Sequence, residues 1–359
     1  MQKLFKSPKV ISSHLINNDV NKIQENFNKL KKIILLPTDW RKENFFEIEL
    51  KKSLIRGLLR YFNESNSLLT NILSEIKREN FKNFNFNWCT KVYPMIHLSK
   101  DRIEPVGFHY DEINNNKLIT CWVPITNYNY PALSFINNSE KYPRFFSKII
   151  LNTPMSKLLS QNISINKGSA FLWDGRAIHA GNFNSSNEIS CAFQFKLTLS
   201  PFEHEKSFKI DNIQSISNQS IIFDNSYVEK NYNLYNKIVQ LIIENKSLEK
   251  LNIKEMIYFV TEILKENFSE KNLILSFASS VLAQRISTSK KFNNNFNFFK
   301  KVEKILDIFS IYVGAENLSS FSRLTFGMKK KEIFEFYQLL KKGDIFFTIK
   351  EILITNKMN

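Results

Sequence analysis

The chain has 359 residues, of which 43% are hydrophobic and 14% are aromatic. It is long enough for one large domain or two ordinary ones, and its apolar content excludes a globally disordered protein. The formal net charge of +16 divides into +7 over residues 1–90 (16 basic, 9 acidic), +4 over 91–200 (11 and 7) and +5 over 201–359 (23 and 18). A nucleic-acid-binding protein should cluster its basic residues, so no nucleic-acid partner is expected.

The cysteines and the hydropathy pattern indicate a cellular compartment. Cys89, Cys121 and Cys191 are an odd number and form no C-x-x-C pair, which is typical of a reducing environment. The N-terminal stretch lacks the uninterrupted apolar run of a signal peptide, and no apolar stretch approaches the ~18 residues that a membrane span requires. These features predict a soluble cytoplasmic protein without a membrane partner.

Three zones follow one another along the chain. Residues 1–90 place apolar side chains at helical spacing in NKIQENFNKLKKIILL and FFEIELKKSLIRGLLRYF, which predicts amphipathic helices. Residues 91–204 contain short runs rich in Val, Ile, Thr, Trp and Phe, such as LITCWVPIT and ISCAFQFKLTL, a pattern typical of a β-sandwich or barrel. Residues 205–359 return to helical spacing, for example in YNLYNKIVQLIIENK. The chain is therefore predicted to place a β core between two helical regions.

Residues able to bind a metal stand beside two of the predicted strands. His109 and Asp111 precede LITCWVPIT, and residues i and i+2 of an extended segment point to one face. His179 follows the strand SAFLWD, 70 residues after His109. Two imidazoles and one carboxylate on one face of a metal leave three positions open, as in non-haem Fe(II) oxygenases. The alternative is that the first two residues form a polar surface pair and that His179 is a core histidine.

The residues around this pattern carry a resemblance. Four sequence features occur in order: a His-x-Asp pair, a strand ending in W-x-P-I-T, an L-x-F-I-x-x-S segment, and a glycine turn followed by a strand and His-x-Gly. The matching positions are His109 and Asp111; Trp122, Pro124, Ile125 and Thr126; Leu133, Phe135, Ile136 and Ser139; and Gly168, Ser169, Trp173, Asp174, His179 and Gly181. In these features the chain resembles the Fe(II)/2-oxoglutarate-dependent dioxygenases, and within them the phytanoyl-CoA dioxygenase-like branch.

The resemblance covers residues 109–181 and implies a fold and a site. The fold would be α+β, with a central double-stranded β-helix of the jelly-roll or cupin type in residues 91–204. Residues 1–90 would form a helical region that buttresses this barrel, and residues 205–359 a helical C-terminal region. The catalytic residues and metal ligands would be His109, Asp111 and His179, with Fe(II) as the cofactor, 2-oxoglutarate as the cosubstrate and dioxygen as a further partner.

One feature of the family is absent. Its members place an arginine roughly ten to seventeen residues after the second histidine, and the guanidinium binds the far carboxylate of 2-oxoglutarate. The corresponding strand here, EISCAFQFKL, contains no arginine. Lys196 could supply the cation, with Gln194 on the same strand face, and Arg176 is a second candidate for cosubstrate binding. Each of these two cations could instead be a solvated surface side chain.

The predicted function is the oxidation of an aliphatic C–H of a small molecule by a non-haem Fe(II)/2-oxoglutarate-dependent oxygenase. A carboxylate at Asp111 favours hydroxylation or desaturation, because related halogenases carry a small residue there. The missing arginine supports an alternative, a degenerate double-stranded β-helix that is a binding module without 2-oxoglutarate turnover. No motif identifies the substrate or the oligomeric state.

Overall fold

In the computed structural model, helices from both ends of the chain pack against a central set of antiparallel strands. The structure describes residues 8–39, 41, 44–78, 86–100, 107–111, 118–201, 207–210, 220–245, 247–289, 292, 295–314 and 318–342. The described strands are β1 (Lys9–Ser12), β2 (Trp88–Thr90), β3 (Tyr93–His97), β4 (Leu118–Pro124), β5 (Leu133–Ile136), β6 (Ser160–Ile163), β7 (Ser169–Asp174), β8 (His179–Gly181), β9 (Ser190–Thr198) and β10 (Ser207–Lys209). The described α-helices are α1 (His14–Ile33), α2 (Phe45–Tyr61), α3 (Asn63–Arg78), α4 (Arg144–Leu151), α5 (Met155–Leu159), α6 (Asn225–Ile243), α7 (Ile253–Asn267), α8 (Leu273–Thr288), α9 (Phe296–Val313), α10 (Leu318–Thr325) and α11 (Lys330–Lys342).

Side-chain caps mark where several of these helices begin. Ser13 accepts a hydrogen bond from a backbone N–H in the first turn of α1, and Asn44 does the same for α2. At the start of α7, Asn252 accepts from the backbone while the Glu255 carboxylate accepts from the Asn252 N–H. These bonds satisfy backbone donors that the first turn of a helix leaves without partners.

The strands form two antiparallel sheets. In the large sheet the order is β1-β7-β4-β9, and the far side of β9 pairs with both β2 and β3, while β10 pairs with β2. The small sheet has the order β6-β5-β8. The register of the large sheet aligns Lys196 with Thr120, and Thr120 with Trp173. Three positions on β9, β4 and β7 therefore form one row across the sheet, on its inward face, which is the face toward the small sheet.

Alternate residues of the large sheet belong to two different cores. Phe171 and Trp173 of β7 pack against Phe135 of the small sheet, with ring centroids 5.5 and 5.2 Å apart. The two sheets therefore face each other across an aromatic core. The intervening residues, such as Cys121 of β4 and Phe193 of β9, join the larger apolar core formed by the helices. The large sheet thus lies between the small sheet on one face and helices on the other.

The described helices of both flanks share that larger core, so they support the sheet from the face opposite the small sheet. Helices α2 and α8 approach closely at Gly57, where an added Cβ would lie 2.7 Å from the carbonyl oxygen of Ile274. The same two helices are joined by charge, because Glu49 pairs with Lys52 at 3.0 Å and with Arg285 of α8 at 3.2 Å. Glycine at position 57 is required by this close packing.

The flanking regions also contribute strands to the large sheet. β1 comes from the predicted helical region of residues 1–90, as does β2, and β10 follows the predicted core. The mixed helix-and-sheet class with antiparallel strands is confirmed, whereas the domain boundaries at 90 and 204 stay a prediction. All three cysteines are buried and free. Among the described helices, none combines the length and the apolarity needed to span a membrane.

Candidate metal centre

His109 and His179 are held opposite each other by the backbone. The N–H of each donates to the carbonyl oxygen of the other at 2.9 Å, which forms an isolated antiparallel bridge. His179 also begins β8, which pairs with Phe135 in β5 of the small sheet. The two rings are 4.3 Å apart between centroids. The sheet therefore brings together two histidines that are distant in the sequence.

Hydrogen bonds to backbone carbonyls orient both imidazoles. Nδ1 of His109 donates to the carbonyl of Gly107 at 2.8 Å, and Nδ1 of His179 donates to that of Ala177 at 3.0 Å. Because a carbonyl oxygen can only accept, each ring carries its proton on Nδ1 and keeps a lone pair on Nε2. This is the usual outer support of a metal-binding histidine.

The two Nε2 atoms converge on Asp111. Nε2 of His109 lies 3.7 Å from Asp111 Oδ1, and Nε2 of His179 lies 3.6 Å from Oδ2. One ligand atom from each of the three residues lies within 4.8 Å of the others. Bonds of ~2 Å to one ion require separations of about 3 to 4 Å, and both histidine–carboxylate distances meet this range. The structure therefore brings the three predicted ligands together.

The local electrostatics favour an ionised Asp111 and a neutral His179. Burial raises the pKa of Asp111, but the neighbouring His109, His179 and Lys196 side chains and the Thr120 hydroxyl outweigh it and hold that pKa well below the usual range. Burial lowers the pKa of His179 to about 4. At neutral pH the site therefore offers an ionised carboxylate and a neutral His179 imidazole. Two imidazoles with one carboxylate are the donor set of non-haem Fe(II) sites, consistent with the predicted Fe(II) and 2-oxoglutarate.

Aromatic side chains and one hydroxyl surround the triad. Phe135 stacks on the His179 ring with centroids 5.4 Å apart, and Trp173 lies 4.9 Å from the same ring. The Thr120 hydroxyl donates to Asp111 Oδ2 at 2.5 Å. Thr120 was not predicted from the sequence. The available signal was its position two residues before Trp122 in β4, which places it on the inward face of the strand.

The predicted cosubstrate-binding residues lie in different surroundings. Lys196 Nζ is 4.0 Å from Asp111 Oδ1, and its side chain is 23% exposed. Gln194 is half-buried two residues earlier on the same face of β9, beside Trp122. Arg176 pairs with Asp174 at 3.3 Å and is more exposed, at 37%. The structure thus brings Lys196 to the triad, and the described pairing of Arg176 is with Asp174 in the turn before His179.

Two buried donors in this region have no hydrogen-bond partner among the described residues. They are the indole Nε1 of Trp173 and the hydroxyl of Tyr128. Tyr128 packs against Trp122 with ring centroids 5.3 Å apart, and burial raises its pKa well above the ordinary value. A buried donor without a partner costs about 1–3 kcal/mol. Acceptor groups of a bound ligand would offset this cost.

No family model matches the chain, and no curated protein matches it. Among solved structures it is similar to EvdO2 from Micromonospora carbonacea var. aurantiaca complexed with 2-oxoglutarate, at 13% identity over 32% of this chain and 53% of that one, with a TM-score of 0.26. The chain therefore spans about half of EvdO2.

Two further solved structures are similar over a larger share of their length. HygX from Streptomyces hygroscopicus with iron bound shows 10% identity over 54% of this chain and 83% of that one, with a TM-score of 0.36. A non-heme monooxygenase, the ThoJ-Ni complex, shows 7% identity over 65% and 96%, with a TM-score of 0.37.

Proposed function

We propose that this chain is a non-haem Fe(II)/2-oxoglutarate-dependent oxygenase that hydroxylates an aliphatic C–H of a small molecule. The observation that carries the proposal is the convergence of His109, Asp111 and His179 beside the aromatic core between the two sheets. We further propose that the two sheets form a double-stranded β-helix of the phytanoyl-CoA dioxygenase-like branch. The sequence features between His109 and Gly181 support this assignment.

The inward face of the large sheet suits an anionic organic ligand next to a metal. Lys196 adds a cation beside Asp111, and Gln194 adds an amide. The Trp173 indole N–H and the Tyr128 hydroxyl are buried donors that an acceptor of the ligand could satisfy. An organic carboxylate carries several acceptor lone pairs and needs a neutralising cation when it is buried. Lys196 is therefore proposed to pair with the far carboxylate of 2-oxoglutarate, with Gln194 adding a neutral hydrogen bond.

Each residue around the candidate metal centre has a proposed role. His109, Asp111 and His179 would hold the metal, which with 2-oxoglutarate and dioxygen would supply the oxidation of the substrate C–H as 2-oxoglutarate is converted to succinate and CO2. His109 and His179 present their Nε2 lone pairs because carbonyl oxygens hold their Nδ1 protons. Phe135 and Trp173 cover the His179 ring and exclude water from it. Asp111 fills the position that would be open to halide in a halogenase, so hydroxylation is proposed.

The proposal is tested by anaerobic titration of the purified protein with Fe(II) and 2-oxoglutarate, followed by a metabolite screen for succinate release under dioxygen. Wild-type protein should bind one Fe(II) per chain and turn over 2-oxoglutarate with the right substrate. His179→Ala should abolish turnover and leave the fold largely intact, because the three ligands line a site at the end of the strands. His14→Ala is the matched control, because His14 is an exposed histidine of α1 that is distant in the sequence from the three ligands. This variant should retain Fe(II) binding and turnover.

The role of Lys196 has its own test. Lys196→Ala should raise the apparent KM for 2-oxoglutarate while Fe(II) binding survives. Losing one charge-assisted pair costs about 2–4 kcal/mol, or about 30- to 900-fold. Lys209→Ala, at an exposed lysine of β10, should leave KM unchanged. An unchanged KM in Lys196→Ala would exclude this lysine as the anchor.

One observation favours a second candidate, a metal-free binding module. Lys196 Nζ approaches Asp111 Oδ1 to 4.0 Å, so the ammonium could serve as the counter-ion of that carboxylate in place of a metal. In that case wild-type protein would bind no Fe(II), and Lys196→Ala would create metal binding. The oxygenase proposal instead expects both wild-type protein and Lys196→Ala to bind Fe(II).

A further inference from the structure

A patch of exposed apolar side chains lies on the two short helices between β5 and β6. The patch, called the α4–α5 surface, consists of Phe145, Phe146 and Ile149 of α4 and Met155, Leu158 and Leu159 of α5. Phe145 is 69% exposed and Leu158 is 83% exposed. Single exposed apolar residues are common on proteins, but a run of large ones on adjacent helices usually marks an interaction site.

The inner faces of the two helices are already occupied. Ile150 of α4 is fully buried and packs in a small core with Ile136 and Ile178. Ser147 of α4 and Ser156 of α5 are also buried. The helices are therefore anchored to the small sheet without using the α4–α5 surface, and its side chains are available to a partner.

The exposed charges along this segment of the chain have one sign. Residues 141–173 contain no Asp or Glu, while Lys141, Arg144, Lys148 and Lys157 border the apolar side chains and are exposed. Helices that lie in a membrane interface combine Phe and Leu on one side with Lys and Arg around them. The surface therefore has the composition of a peripheral membrane-binding element.

We propose that the α4–α5 surface docks the protein on an anionic lipid membrane, with the apolar side chains at the headgroup boundary and the cations on the phosphates. A second copy of the chain fits less well, because a two-fold contact would bring Lys148 and Lys157 against the same cations. A protein partner also fits less well, since lysine is depleted at protein interfaces. The expectation of no membrane partner was drawn from the lack of a spanning segment, and peripheral docking revises it.

The position of the surface relates it to the metal centre. Ile178 and the partly buried Phe108, which pack in the same small core as Ile150, directly precede His179 and His109 in the chain. A docked membrane would therefore lie on the side of the molecule that carries two of the three proposed ligands. The docking itself does not depend on the proposed oxygenase activity and is tested without it.

The test is co-sedimentation of the full chain with vesicles of phosphatidylcholine alone and of equal parts phosphatidylcholine and phosphatidylglycerol. The wild-type chain should bind only the anionic vesicles and be released by high salt. Phe145→Ser/Leu158→Ser should weaken binding at least tenfold. Each of Lys148→Gln and Lys157→Gln should weaken it about fivefold, since one basic residue near an anionic surface contributes about that factor.

A matched control uses equally exposed residues elsewhere. Phe326 is 91% exposed and Lys331 has an 88% exposed side chain, so Phe326→Ser/Lys331→Gln should bind as wild type does. Thermal unfolding of every variant checks that the fold is kept. The proposal is overturned if wild-type protein ignores anionic vesicles, if neutral vesicles bind equally well, or if the control loses as much affinity. It is also overturned if light scattering shows a dimer that Phe145→Ser/Leu158→Ser dissociates.

Discussion

Thr120→Val removes one hydroxyl group from the candidate metal centre and keeps the shape of the side chain. Thr120 is fully buried in β4, and its hydroxyl donates to Asp111 Oδ2. The other oxygen, Oδ1, faces Nε2 of His109 at 3.7 Å. The hydroxyl therefore fixes how the carboxylate is turned between its neighbours. Valine cannot donate this bond, so the Asp111 carboxylate becomes free to rotate in the variant.

The expected effect is on metal affinity. Mutating a residue that orients a metal ligand typically lowers affinity 10–100-fold, or by about 1.4–2.7 kcal/mol. The value of a hydrogen bond to a charged group, about 1.5–3 kcal/mol, falls in the same range. We therefore expect Thr120→Val to bind a divalent metal 10–100-fold more weakly, while Thr120→Ser, which keeps a hydroxyl, remains within a few-fold of wild type.

The assay is anaerobic calorimetric titration with Co(II) and Fe(II), with thermal unfolding as the check of the fold. Thr70→Val serves as the control, because the Thr70 hydroxyl is exposed and donates to a carbonyl within its own helix. If Thr120→Val folds normally and binds metal as tightly as wild type, the hydroxyl does not orient Asp111 for metal binding. Equal weakening of metal binding in Thr70→Val would likewise exclude a specific role for the Thr120 hydroxyl.

Three further predictions concern residues of α2 and β3. Glu49→Gln should lower the free energy of unfolding by about 3–5 kcal/mol in urea titrations, because it breaks a buried ion pair with Arg285. Burial and the cations around Glu49 lower the pKa of His97 to about 3. The unfolded chain protonates this histidine near pH 6.5, so the stabilising contribution of neutral His97 is full above pH 6.5 and is lost as the pH falls. About 2 kcal/mol should disappear by pH 5, and His97→Asn should flatten this dependence. Gly57→Ala should lower the melting temperature, because overpacking against Ile274 costs about 1–3 kcal/mol and exceeds the gain in helix propensity; an unchanged or raised value would contradict the close packing.

Local patterns in the sequence predicted much of this structure. The helical spacing of FFEIELKKSLIRGLLRYF corresponds to α2 (Phe45–Tyr61), and ISCAFQFKLTL contains β9 (Ser190–Thr198). The two-residue alternation in β9 also placed Gln194 and Lys196 on the face that points to the small sheet. These features depend on neighbouring residues in the chain, so a single sequence carries them.

Contacts between distant segments were not predictable in the same way. The pairing of β1 with β7 depends on Lys9–Ser12 reaching Leu172–Ser169, and no local pattern encodes that distance. The bond from Thr120 to Asp111 likewise depends on how the segment before β4 folds back. Helices α4 and α5 interrupt an interval that its composition predicted to be β-rich. In each case tertiary packing decides the outcome.

Whether His109, Asp111 and His179 form a metal centre is tested by anaerobic binding of Fe(II) and 2-oxoglutarate to wild-type protein and to Asp111→Ala, measured by calorimetry. A metal centre at these residues should bind one Fe(II) per chain in wild type, bind 2-oxoglutarate tightly only when the metal is present, and lose both ligands in Asp111→Ala. Wild-type protein that binds no Fe(II), or that binds it as well after the loss of Asp111, would contradict the assignment of His109, Asp111 and His179 as a metal centre.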